Sequence, residues 1–184
     1  MRVLLLKYAC TKSQAIHYLK KEIEIGKTKA TLFDGSRFKR SAHGGFRRRG
    51  FQIRKFFCEL AKANPDRFAV ALKFEDALAH QVLAGSDILL MPSIYQPCGI
   101  TQMYALKFGT VPIVSRLDDS IKSFDGKTIT GFKFAPNDRK SFQQALQNSM
   151  ACFSDKSSWE RLINNGMEMD FSWDNGVQQY SSHS

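Results

Sequence analysis

The sequence contains few cysteines and no long hydrophobic run. Its four cysteines, Cys10, Cys58, Cys98 and Cys152, lie at least 40 residues apart and form no C-x-x-C pair. This spacing argues against a cysteine-ligated metal site and against a disulfide framework, so we expect free thiols. The apolar run nearest the start, Val3–Leu6, is too short to span a bilayer or to form the core of a signal peptide. We therefore expect a soluble protein of the cytoplasm that does not contact a membrane.

Positive charge is concentrated in one part of the chain. The 184 residues carry 27 Lys plus Arg against 17 Asp plus Glu, which gives a net charge of +10. Eight of the cations and none of the acids lie between Ser36 and Lys55, so the rest of the chain carries about +2 (10 − 8). Because Phe38, Phe46 and Phe51 interleave with the arginines, a nucleic-acid-binding module is one alternative function. We favour a solvated basic loop and do not expect nucleic acid to be the partner.

Short apolar segments alternate with segments of helical period along the first two thirds of the chain. The predicted strands are Arg2–Tyr8, Ala30–Phe33, Arg67–Phe74, Asp87–Met91 and Val111–Val114. The predicted helices are Ser13–Ile23, Phe51–Ala63, Glu75–Ala84 and Gly99–Phe108. This alternation predicts an α/β fold with a Rossmann-like, doubly wound parallel sheet. Ligands of such sheets bind beyond the carboxyl ends of the strands, which here precede the turns Pro92–Gly99 and Ser115–Ser120.

The last third of the chain is predicted to be helical. Apolar residues recur at helical spacing around Phe142 and again around Trp159, which predicts C-terminal helices. We expect a Rossmann-like domain over residues 1–169, with a basic loop at 36–55, followed by a C-terminal helix or tail at 170–184.

One long segment carries a family signature. Residues 87–114 read DILLMPSIYQPCGITQMYALKFGTVPIV and closely resemble the D-x-x-L-x-P-S-x-x-E-P-C-G-L-T-Q-x-Y-A-x-x-Y-G-x-x-P-x-V pattern of glycogen and starch synthases. The elements TGFKF (Thr130–Phe134) and DFSWD (Asp170–Asp174) are also similar to that family. Its members are retaining glycosyltransferases built from two facing Rossmann-like domains, the GT-B architecture. The resemblance implies that this chain is one half of such a fold, the C-terminal domain that binds the nucleotide sugar.

The resemblance also implies a donor and an acceptor. Family members transfer glucose from ADP-glucose, or a related nucleotide sugar, to the end of an α-1,4-glucan, and they require no metal or other cofactor. The leaving diphosphate needs helix N-termini and cations to stabilise its charge, and the base needs an aromatic partner. The positions that correspond to the family's donor site are Lys7, Lys12, Phe74, Cys98, Gly99, Ile100, Thr101, Gln102 and Arg116. The alternatives are surface lysines for Lys7 and Lys12 and an ordinary core residue at a strand end for Phe74.

Three departures from the family pattern predict impaired catalysis. Gln96 occupies the catalytic position of the family's Glu, where it keeps a hydrogen-bond acceptor but loses the charge. The family's glycine pair is missing after Val114, which shortens the loop that holds Arg116. The sequence also contains no counterpart of the family's N-terminal domain, and the cleft needs both halves to exclude water. We expect the chain to bind ADP or ADP-glucose without polymerising glucose alone.

Two roles stay open for such a chain, and the sequence leaves open whether it is an enzyme in its own right. In one, it is a donor-binding domain that uses an α-glucan acceptor only when an N-terminal domain is supplied. In the other, it is a non-catalytic partner of a full-length synthase, or a remnant of one.

Overall fold

Helices and strands alternate along the computed structural model, which describes residues 2–6, 29–33, 55–66, 68–71, 76–91, 99–115, 129–136 and 138–173. The described strands are β1 (Arg2–Leu6), β2 (Lys29–Phe33), β3 (Phe68–Ala71), β4 (Ile88–Met91), β5 (Val111–Ser115) and β6 (Phe132–Phe134). The described helices are α1 (55–63), α2 (Asp76–Ala84), α3 (Ile100–Lys107), α4 (Arg139–Ser154) and α5 (Lys156–Glu168). The predicted helix Ser13–Ile23 and, apart from Lys55, the basic loop at 36–55 lie outside the described residues. The domain boundaries stay a prediction.

The described strands form one parallel sheet in the order β3-β2-β1-β4-β5-β6. The register is continuous across its centre, where Leu5 pairs with Leu90 and Leu90 pairs with Ile113. The chain steps outward from β1 to β2 and β3 on one side, and from β4 to β5 and β6 on the other. This topology confirms the predicted Rossmann-like, doubly wound α/β fold.

The central strand β4 explains why the sheet has helices on both faces. All four of its side chains are buried, and successive side chains of a strand point to opposite faces. Ile88 and Leu90 pack into a core that includes residues of α1, α4 and α5. Leu89 and Met91 pack into a second core that includes residues of α2 and α3. A continuous apolar run is what a parallel strand covered on both sides requires.

Helix α3 is held in place by close packing against α5. The backbone of Gly166 approaches α3 so closely that a Cβ atom at this position would lie 2.8 Å from Leu106 Cδ2. The Lys107 ammonium donates to the backbone carbonyl of Met167, at 2.9 Å, and lies 5.9 Å from the centre of the Phe171 ring. These contacts fix the carboxyl end of α3, and with it the direction in which the amino end points.

Candidate functional site

The sheet has a topological switch point between β1 and β4. These two strands are neighbours, but the chain leaves them toward opposite sides of the sheet. In doubly wound folds, ligands bind beyond the carboxyl ends of the strands at such a switch point. β4 ends at Met91, and α3, which begins at Ile100, is the next described helix after it. Lys7 follows the last residue of β1 directly in the sequence.

Gly99 opens α3 in a left-handed backbone conformation, with φ 57° and ψ 8°. Its carbonyl accepts hydrogen bonds from the amides of Gln102 and Met103, at 3.1 and 3.3 Å. A residue with a side chain adopts this backbone region only at a cost, so a glycine here is a structural requirement. Gly99 therefore fixes how the chain enters α3.

The amino end of α3 differs from those of α4 and α5, because no side chain among the residues that the structure describes caps it. The Asp138 carboxylate accepts from two amides of α4, and the Asp155 carboxylate accepts from the Ser157 amide of α5. Gly99, which occupies the corresponding position of α3, has no side chain that could accept such a hydrogen bond. The first amides of a helix have no intrahelical acceptor and carry the positive end of the helix dipole. The first turn of α3 is therefore able to receive an anionic group.

The structure describes four of the predicted donor residues, and they are consecutive. Gly99 is buried, the Ile100 side chain is 52% exposed, Thr101 is partly buried, and Gln102 is completely buried. Gln102 lies on the inner face of α3, three residues before Ala105. Its role toward a ligand stays a prediction. The other predicted site residues lie outside the described residues: Lys7, Lys12, Phe74, Gln96, Cys98 and Arg116.

Ser115 begins the turn that was expected at the binding edge, but it was not among the predicted donor residues. It is the last residue of β5 and only 7% exposed, at the same carboxyl edge of the sheet as the end of β4. Its hydroxyl has no hydrogen-bond partner within the part of the chain that the structure describes. A short polar residue directly after a buried apolar strand was the available signal, because such edge positions often carry functional groups.

The resolved pKa shifts lie on elements other than α3. Hydrogen bonds from Ser158 and Ser157 hold the pKa of Asp155 below its ordinary value, and a hydrogen bond from the Ser172 amide does the same for Asp170. Burial raises the pKa of the Cys152 thiol. No group of three His, Cys, Asp or Glu side chains in the described ranges is placed to hold a metal ion. Independence from metal stays a prediction.

Within the described residues, no helix is long and apolar enough to cross a membrane. The cytoplasmic location stays a prediction, as does the absence of a nucleic-acid partner.

Comparisons with known proteins give a consistent result, although no family model matches the chain. It is 44% identical over 133 residues to a glycogen synthase from Elusimicrobium minutum, which covers 70% of this chain and 28% of that relative. It is similar to the solved catalytic domain of starch synthase IV from Arabidopsis thaliana bound to ADP and acarbose. That match has a TM-score of 0.71 and 27% identity, and it covers 98% of this chain and 37% of that one.

A further solved structure matches at the level of the fold alone. It is the C-terminal domain of a glycosyl transferase group 1 protein from Francisella tularensis, with a TM-score of 0.61 and 14% identity. The match covers 97% of this chain and 85% of that one, so the two are of similar extent.

The fold and its neighbours first define a class, which is the Rossmann-like half of a GT-B glycosyltransferase. The curated relatives and the starch synthase then define the family. This chain belongs, over the residues that align, to the glycogen and starch synthase family. The aligned part spans 26% and 28% of the length of two curated relatives. The family assignment therefore does not extend the activity of a whole synthase to this chain.

Proposed function

We propose that this chain is the donor-binding part of a glycogen or starch synthase-like glucosyltransferase, and that it binds ADP-glucose or ADP against the first turn of α3. The observation that carries the proposal is the amino end of that helix. It follows β4 at the switch point and opens through a left-handed glycine that provides no capping side chain. The similar starch synthase IV structure is described as bound to ADP, which supports an adenine nucleotide as the ligand.

The diphosphate is the part of the donor that this turn would recognise. Backbone amides and the helix dipole together stabilise an anion at a helix N-terminus by about 0.3–1 kcal/mol when exposed and up to about 2 kcal/mol when partly buried. Glucose transfer breaks the bond between the sugar C1 and a diphosphate oxygen, and the electron pair moves to that oxygen. Negative charge therefore grows beside the helix during the reaction. Lys7 and Lys12 are the cations that we propose to share this charge.

We propose that this chain alone does not transfer glucose. Gln96 carries no charge where the family has a carboxylate, so a developing positive centre on the sugar receives less stabilisation. An α-glucan acceptor is used only when an N-terminal domain closes the cleft from the other side. A role as a non-catalytic partner of a full-length synthase is favoured by the same residue.

Donor binding is tested by calorimetric titration of the full chain with ADP. We expect saturable binding of one ADP per chain, weakened about tenfold by Lys7→Ala and by Lys12→Ala, which corresponds to about 1.4 kcal/mol. Lys140→Ala is the matched control, because Lys140 is an exposed lysine on α4 and should leave ADP affinity unchanged. Absence of binding, or an equal effect of all three substitutions, would reject the proposed site.

Catalytic competence is tested separately by incubating the chain with labelled ADP-glucose and glycogen. We expect no label in the polymer above a blank without protein. Incorporation would overturn the proposed inactivity while leaving donor binding intact. Addition of a full-length synthase to the same mixture tests the partner role. This role predicts that glucose incorporation differs in rate from that of the synthase without this chain. It also predicts that the two proteins co-migrate on gel filtration.

A further inference from the structure

Three aromatic rings meet on the outer surface where α2 and α3 pack together. The His80 ring, from α2, lies 5.0 Å from the Tyr104 ring and 5.8 Å from the Phe108 ring, measured between centroids. The planes of the first pair are tilted by 47°, and those of the second are perpendicular. Tyr104 lies in the middle of α3, and Phe108 lies one turn later, just beyond its carboxyl end. We call these three residues the aromatic seam.

The rings of the aromatic seam belong to neither of the two core clusters. Tyr104 is 46% exposed and Phe108 is 42% exposed, whereas Ala105 and Leu106 on the inner side of α3 are buried. His80 is exposed as well. A contiguous exposed apolar patch marks an interaction or ligand-binding site, and aromatic side chains contribute large apolar areas to such patches. The aromatic seam is therefore a surface that needs an explanation other than folding.

The charges around the aromatic seam favour a neutral ligand. α2 and α3 carry one acid, Asp76, and one base, Lys107. The Lys107 ammonium already donates to a backbone carbonyl of α5. A phosphate, a nucleic acid or an acidic polymer would require a cluster of cations, and the described residues of these two helices provide none. The seam instead combines apolar ring faces with two hydrogen-bonding groups, the His80 imidazole and the Tyr104 hydroxyl.

A sugar chain has the complementary chemistry. Each glucose ring has an apolar face of C–H groups, which packs on aromatic rings, and a rim of hydroxyls that both donate and accept hydrogen bonds. We propose that the aromatic seam is a second binding site, distinct from the donor turn, that holds a chain of the α-glucan. The proposal rests on the proposed function only in its choice of glucan among neutral sugars.

The position of the aromatic seam gives the second site a use. Tyr104 and Phe108 lie four and eight residues beyond Ile100, so the seam extends from about 6 to 12 Å along α3 from the donor turn. A branched polymer held there keeps its other chain ends close to the donor, which raises their effective concentration without any new contact at the reacting atoms. The two sites lie along one helix, and α5 holds that helix in place.

The test is native gel electrophoresis of the full chain with and without glycogen, together with titration by maltoheptaose. We expect glycogen to retard the chain. The double substitution Tyr104→Ala with Phe108→Ala should abolish this retardation and weaken maltoheptaose binding by about tenfold or more. The double substitution Tyr104→Phe with Phe108→Tyr keeps both rings and should bind maltoheptaose as the wild type does. Trp173→Ala is the matched control, because Trp173 is a 90% exposed ring outside the seam.

Circular dichroism checks that each variant is folded, and ADP titration separates this proposal from the donor site. ADP affinity should be the same in the wild type and the double variant, whatever the outcome for glycogen. The proposal is overturned if glycogen fails to retard the wild-type chain, or if Trp173→Ala weakens maltoheptaose binding as much as the double variant does. It is also overturned if the double variant loses self-association in sedimentation while it keeps its affinity for glycogen.

Discussion

Replacement of Gly99 by alanine tests the role of the left-handed backbone at the start of α3. Gly99 has a φ of 57°, and an L-residue with a Cβ atom pays about 1–2 kcal/mol to adopt that region. Gly109 provides a matched control, because it has a φ of 73° just beyond the other end of the same helix. A Cβ atom on Gly109 would also lie 3.2 Å from Ile163 Cγ2, so its substitution costs at least as much.

Both Gly99→Ala and Gly109→Ala should lower the free energy of unfolding by about 1–2 kcal/mol, which for a chain of this length lowers the melting temperature by about 2–8 °C. Only Gly99→Ala should weaken ADP binding, by about tenfold, because it distorts the amides that face the diphosphate. Urea unfolding followed by circular dichroism and calorimetric titration with ADP measure the two effects. A wild-type urea midpoint for Gly99→Ala would contradict the cost of its left-handed backbone. An equal loss of ADP affinity in the two variants would contradict a specific role of Gly99 in binding.

Three further predictions concern the scaffold. Thr110→Val should lower the free energy of unfolding by about 1–2 kcal/mol in urea titration, since it removes the buried 2.6 Å hydrogen bond from Thr110 to the Leu83 carbonyl; unchanged stability would contradict this. Asp138→Ala removes the cap of α4 and should cost about 1 kcal/mol in the same assay without changing ADP affinity. The pKa of Asp155 is held low in the folded state, so its contribution is present above the unfolded pKa and is lost as pH falls through the folded value. Asp155→Asn should therefore have a lower free energy of unfolding than the wild type at neutral pH, and this difference should shrink below about pH 4. A difference that stays constant with pH would contradict a contribution from the Asp155 charge.

The sheet could be predicted from the sequence because its central strands have strong local signals. The buried run at Asp87–Met91 has no polar interruption, and the structure places a strand at Ile88–Met91. The predicted helix Gly99–Phe108 ends just before Gly109, whose positive φ fits a residue that follows a helix. The strand β6 was not predicted. It has only three residues, which is too short for a period to appear, and it exists because it pairs with β5.

The candidate site could be predicted only in part, for two physical reasons. The turn before α3 was expected at the binding edge, because strand order and helix direction follow from the alternation of elements. The left-handed conformation of Gly99 did not follow, since a glycine adopts several conformations with similar ease. The burial of Gln102 was also missed, although its spacing of three and four from Ala105 and Leu106 indicates the inner face of the helix.

The most direct test of the donor site follows backbone amide resonances by NMR while ADP is added to the labelled chain. The amides of Gly99, Ile100 and Thr101 should shift and saturate with the same affinity that calorimetry gives. The resonances of the first amides of α4 and α5, which are already hydrogen-bonded to Asp138 and Asp155, should not shift. Saturating shifts at either of those helices, with none at the start of α3, would contradict the account.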